Sequence, residues 1–149
     1  MTPQQRAERA ATVMWAEDAA SQQLGMRIDR IAPGHAVLSM EVRAHHLNGH
    51  RICHGGFIFT LADSAFAFAC NSYNQLAVAQ ENQIIFLAPG QLGERLTATA
   101  QEQARSGRTG VYDVTVTGAD GRKVALMRGL SRTVKGQHFP EDPAPKDGA

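Results

Sequence analysis

Residues 47–72, LNGHRICHGGFIFTLADSAFAFACNS, decide how the rest of the chain must be arranged. After Gly55 and Gly56 the segment holds good or tolerable helix formers and is too long for one strand, which predicts a helix over about 55–72. A surface helix carries one apolar stripe. This one is apolar on both sides, with Phe57, Ile58, Leu61, Ala65 and Phe68 on one and Phe59, Phe66, Ala67 and Cys70 on the other. It must therefore be surrounded. Asp63 is the exception, set by helical spacing between Phe59 and Phe66 and below Cys70.

The flanking segments supply what surrounds it. Residues 4–23 are rich in Ala, Gln, Glu and Arg, and Ala11, Met14, Trp15, Asp18 and Ala19 fall at helical spacing, with Asp18 the one polar intruder. This predicts an amphipathic helix ending before Gly25. From Met26, Ile28 and Ile31 precede a turn at Pro33-Gly34, and Leu38, Met40 and Val42 then alternate with Ser39, Glu41 and Arg43, the period of a half-buried strand, so two strands form a hairpin here. Residues 44–54 have neither period and form a loop. Four more strands are expected at 78–87, 96–105, 109–117 and 123–134, separated by Pro89-Gly90, Ser106-Gly107 and Asp120-Gly121. The economical arrangement is α+β: an antiparallel six-stranded sheet wrapped around the long central helix, plus the N-terminal helix. This is the hot-dog fold. A single domain spans 1–135, and 136–149, with three prolines and no period, is expected to be a flexible tail.

Composition excludes several functions. Fifteen Lys plus Arg against fourteen Asp plus Glu leave a net charge of +1, no field for tracking a phosphate backbone, so nucleic acid is not an expected partner. No apolar run is long enough to span a membrane, and the first twenty residues lack the apolar block of a signal peptide. Two cysteines make no disulfide scaffold, and a cytoplasmic location is expected.

An ionised carboxylate on an apolar helix must be paired, protonated, or turned to a ligand cavity or subunit interface. Asp63 is therefore the first candidate for chemistry, against the alternative of a structural hydrogen bond across a dimer. The second is His54-Gly55-Gly56, where a helix begins and its first amides lack intrahelical acceptors. Two glycines leave those amides open to an oxygen gaining negative charge, as in an oxyanion hole, although a Gly-Gly pair also serves a tight turn. Eight residues at a rise of about 1.5 Å each separate Gly55 from Asp63 by about 12 Å, so the two cannot touch one carbonyl. If both act on one substrate, they come from two subunits whose central helices run antiparallel about a two-fold axis.

The quoted stretch resembles the hot-dog thioesterases of the PaaI type, acyl-CoA hydrolases of phenylacetic acid degradation. The likeness continues through FLAPG at 86–90, LTATAQ at 96–101, TGVYDV at 109–114 and VALMRG at 124–129. The resemblance implies hydrolysis of an acyl-CoA, with phenylacetyl-CoA or hydroxyphenylacetyl-CoA as the expected substrate. It implies Asp63 as nucleophile or activator of water, Gly55 as the oxyanion amide, Asn48 near the reacting centre and His54 in a positioning role. It also implies homotetramers built from the dimers. Where relatives often carry Arg before the Pro-Gly after the third strand, this chain has Ala88. Gly56, Arg105, Arg108 and Thr109 are candidate substrate contacts, the last three for the coenzyme A phosphates. Phe59 or Phe66 would suit an aromatic acyl group or serve as ordinary core. No metal and no cofactor are expected, coenzyme A being part of the substrate.

Four other readings compete. His45, His46, His50, Cys53 and His54 lie within ten residues, but without paired ligand spacing they make a poor metal site. Cys53 near a helix start would suit a thiolate nucleophile, which leaves Asp63 unexplained. His138-Phe139-Pro140 resembles the motif of hot-dog acyl-CoA hydratases and dehydratases, but it follows the central helix where theirs precedes it. A hot-dog domain that binds acyl-CoA without cleaving it is the non-enzymatic alternative.

Overall fold

The computed structural model describes residues 1–142. Two short helices, α1 (Pro3–Glu17) and α2 (Ala19–Gln23), precede the hairpin β1 (Met26–Ala32) and β2 (His35–Glu41). The long helix α3 (Gly55–Cys70) follows, then β3 (Ala77–Phe86), β4 (Arg95–Ser106), β5 (Thr109–Thr117) and β6 (Lys123–Thr133). All six strands form one antiparallel sheet in the order β1-β2-β4-β5-β6-β3. The sheet curls around α3, which packs on β2, β4 and β5 and buries Ile58, Leu61, Ala62, Ala65, Phe66, Phe68 and Ala69. From the strands, Leu38, Met40, Leu96, Ala98, Val114 and Val116 meet it, as period-two alternation requires.

Two helix ends differ from the sequence expectation, each because a short polar side chain captures backbone groups. The N-terminal helix breaks at Asp18: one carboxylate oxygen accepts from the Ser21 N–H at 3.0 Å and the other from the Ser21 hydroxyl at 2.7 Å. Asp18 thereby caps a new helix instead of continuing the old one. The central helix stops at Cys70 rather than residue 72, because Asn71 donates to the carbonyls of Ala67 at 2.9 Å and Ala77 at 3.1 Å. Asn71 also accepts from the Ala77 N–H at 2.9 Å, which ties the helix end to the start of β3.

The segment after Gly136 is a correction. Residues 136–141 are docked, and Asn74 holds them: its side-chain oxygen accepts from the His138 and Phe139 amides at 3.0 and 3.1 Å, and its Nδ2 donates to the Phe139 carbonyl at 3.0 Å. Phe139 is buried under the Arg9 guanidinium, 4.3 Å from its ring centre, and Glu141 pairs with Arg6 at 2.7 Å. A clasp made by one asparagine leaves no periodicity for sequence reading to detect. The part of the expected tail at 143–149 lies outside the described residues. Phe139→Ala should lower the stability by about 3 kcal/mol, the scale for emptying a buried aromatic site. A urea midpoint unchanged from wild type would contradict the docking.

The two edges of the sheet differ. α1 covers β1, and Gln4 donates to the Ile31 carbonyl at 2.7 Å. β3 has strand β6 on one side, no strand among the described residues on the other, and mostly exposed side chains.

Candidate active site

Asp63 lies in the middle of α3, on the side facing β3, and is half-buried. Burial raises its carboxyl above the usual carboxylate range, and a hydrogen bond from Asn82 Nδ2 to Asp63 Oδ1, 2.8 Å long, partly offsets that rise. Sequence reading missed Asn82; its signal was the polar run Gln80-Glu81-Asn82-Gln83 inside an otherwise apolar strand. Phe66 packs edge-on against Tyr112 with ring centres 5.5 Å apart and is buried, so it belongs to the core. Phe59 is only partly covered.

At the start of α3, His54 has the extended backbone of a cap, φ −58° and ψ 132°, and its Nδ1 accepts from the Gly56 N–H at 2.9 Å. That bond uses Nδ1 as an acceptor and occupies the Gly56 amide. The Gly55 N–H has no acceptor among the described residues. The Phe86 ring lies over Gly55, where a side-chain carbon would stand 3.2 Å from it. The loop before the helix is pinned by His54 N–H to the His46 carbonyl and Cys53 N–H to the Gly90 carbonyl, both 2.8 Å. Asn48 closes a turn by accepting from the amides of His50 at 2.9 Å and Ile52 at 3.3 Å. Asn48 and Gly55 share one mostly apolar cleft of about 400 Å³ with Ile52, Ile58, Phe86 and Leu87.

The basic candidates gather elsewhere. Arg105, Arg108 and Thr109 line a cleft of about 260 Å³ with Cys70 and Tyr73, at the opposite end of α3 from Gly55. Arg105 is engaged, stacked 3.6 Å from the Tyr73 ring centre and paired with Glu102 at 3.1 Å. Glu102 also accepts from the hydroxyls of Tyr73 and Tyr112. Arg108 is exposed and has no carboxylate partner among the described residues. The chain therefore presents three separate pieces: a carboxylate at mid-helix, a free amide at the helix start and a cation beyond the helix end.

The competing candidates are occupied by structural work. His46 is buried, accepts from the Arg43 N–H at 2.9 Å and packs at a tilt against His45, while His54 caps the helix, so these rings do not converge on one point. Cys53 is buried and its thiol is pushed up to about 11 by desolvation, which keeps it protonated at neutral pH. Cys53→Ser should retain turnover within a few-fold; a hundredfold loss would restore the thiolate reading. His138 bonds through Nε2 to Asn71 Oδ1 at 2.8 Å, at the C-terminal end of α3, and offers nothing to a helix N-terminus.

Comparison with known proteins agrees with this geometry. A family model described as the thioesterase superfamily matches residues 50–125. Acyl-coenzyme A thioesterase PaaI of Escherichia coli is 46% identical over 131 residues, 88% of this chain and 94% of that protein. The solved structure of the E. coli PaaI protein, from the phenylacetic acid degradation operon, superposes with a TM-score of 0.90, at 44% identity, 91% coverage of this chain and 99% of that one. A Streptococcus mutans protein solved bound to acetyl CoA superposes with a TM-score of 0.73 at 28% identity, covering 76% of this chain and 91% of that one. With the expected hot-dog architecture observed and matched in this way, the chain belongs to the thioesterase superfamily.

Proposed function

We propose that this chain hydrolyses acyl-CoA thioesters at sites shared by two subunits, with Asp63 from one and the Gly55 amide from the other. The observation that carries the reading is the pairing, on one helix, of a half-buried carboxylate and an unoccupied N-terminal amide too far apart to meet. The open edge of β3, beside Asp63 through Asn82, supports a two-fold contact on that side. The apolar Ile85 and Leu126, exposed on the sheet, suit further pairing into tetramers.

In this mechanism the thioester oxygen accepts from the Gly55 N–H, and the positive end of α3 stabilises the charge it gains as the carbonyl becomes tetrahedral. Asn48, in the same cleft, orients the acyl end, while His54 holds the helix start rigid by capping Gly56. Asp63 either takes a proton from the attacking water or attacks the carbonyl itself. In the first route collapse breaks the C–S bond, the proton held by Asp63 passes to the coenzyme A sulfur and the acid is released; in the second, collapse expels coenzyme A and leaves an acyl anhydride on Asp63, which water then hydrolyses to the acid and the free carboxylate. No step needs a metal or a cofactor. Arg108, with no carboxylate partner among the described residues, is the better of the two turn arginines for a coenzyme A phosphate, with Thr109 and Arg105 beside it. Phe59 and the cleft over Gly55 suit an aromatic acyl group, and the E. coli relative's phenylacetic acid operon points to arylacetyl-CoA. Two buried free thiols accord with a reducing cytoplasm.

The test is release of free thiol from a panel of phenylacetyl-, hydroxyphenylacetyl-, benzoyl- and straight-chain acyl-CoA. The expected result is turnover with the arylacetyl esters ahead; tight binding without thiol release would make the chain an acyl-CoA-binding protein instead. Single-turnover hydrolysis in ¹⁸O-labelled water separates the two roles of Asp63, since only the covalent route can leave label in its carboxylate.

A further inference from the structure

We propose that Asn82 is the positioning residue for the Asp63 carboxylate, and that position 129 is glycine in order to admit it. The inference rests on the reading of Asp63 as the reacting group. Asn82 follows an irregularity in β3 between Ala79 and Glu81 and pairs with Gly129 on β6. Its Nδ2 reaches Asp63 Oδ1 at 2.8 Å, while its own Oδ1 is buried with no hydrogen-bond partner among the described residues. Leaving an amide oxygen unsatisfied costs free energy, so an asparagine kept only for packing would be better replaced by an apolar side chain. What the amide supplies is its donor.

Gly129 fits the same arrangement. A side-chain carbon there would stand 2.8 Å from Asn82 Oδ1 and 2.9 Å from the Phe66 ring, and its backbone is not in the left-handed region that would call for glycine. Its missing side chain is therefore a matter of space. With Oδ1 of Asp63 held, Oδ2 has no protein partner among the described residues and is not sealed in the interior, leaving it available to water or to the thioester carbon. Among the described residues the titratable neighbour that feels Asp63 is the Cys70 thiol on its own helix, which burial pushes up to about 12 and keeps neutral. Glu81, adjacent on β3, is exposed.

The experiment compares wild type, Asn82→Ala, Gly129→Ala and the double variant in thioester hydrolysis. A parallel ¹³C-NMR titration follows the Asp63 carboxyl and needs no turnover. Asn82→Ala should lower kcat about tenfold or more with KM little changed, the effect of a misplaced group, and should raise the titration midpoint of Asp63 because the ionised form loses a donor. Gly129→Ala should lower kcat alone and add little in the Asn82→Ala background. If Asn82→Ala does not fold, the near-isosteric Asn82→Leu carries the same two readouts. Wild-type kcat or an unmoved Asp63 titration in Asn82→Ala, with Asp63→Asn inactive, overturns this inference alone. Additive losses for the pair overturn the part assigned to Gly129. Full turnover in Asp63→Asn overturns the functional reading and this one with it.

Discussion

Replacing Asp63 by asparagine should lower kcat by about 100-fold or more while the fold stays intact, because the substitution removes a base or nucleophile but keeps size and polarity. An asparagine there can still accept from Asn82 Nδ2, so the contact to β3 survives. The pH dependence should carry the same signature. Asp63 acts only when ionised, and burial raises its carboxyl, so the acidic limb of kcat/KM should lie above the ordinary carboxylate range. The stability effect has the opposite sign. A carboxyl whose folded value is raised costs nothing below its unfolded value and destabilises as pH rises through the folded one. At neutral pH the asparagine variant should therefore melt no lower than wild type, and any advantage should vanish in acid. A variant that loses activity together with a large loss of Tm would show a structural role for Asp63 instead.

The second large effect is expected from Gly55→Pro, which deletes the unoccupied N–H and changes little else. Proline suits the first position of a helix, and His54, with ψ 132°, already has the extended backbone that a residue before proline requires. The ring needs room from Phe86, which is half exposed and free to move aside. Loss of an oxyanion donor costs kcat on the order of 100- to 1000-fold. Gly55→Ala is the control: it keeps the N–H and introduces a carbon 3.2 Å from the Phe86 ring, so it should lose less than about tenfold. Equal losses in the two variants would mean that Gly55 serves the space under Phe86 and not the amide.

The fold was legible because its central element is extreme. A 16-residue helix apolar on both sides admits few surroundings, and alternation in Leu38, Met40 and Val42 marked an inward face of the sheet. Asp63 and the helix start were visible for the same reason, a charge and two glycines against an apolar background. What stayed hidden was held by single side chains across long sequence separations. Asn82 reaches Asp63 from 19 positions away, and Asn74 clasps Phe139 from 65. Neither leaves a period or a spacing. The engagement of Arg105 by Glu102 and Tyr73 was hidden too, since nothing in SGRTG tells a paired arginine from a free one. The break at Asp18 was marked as an intruder in a helix, and its capping role needed the position of Ser21 to emerge.

The shared site is tested most directly by mixing. Asp63→Asn and Gly55→Pro, each inactive alone, are unfolded together, refolded and assayed against the same total of wild-type subunits. In a mixed dimer one site combines both lesions and the other combines two intact halves, so random pairing should return about a quarter of wild-type activity. Activity no greater than the sum of the two separate variants, in a sample shown to contain mixed dimers, would contradict a site built from two subunits.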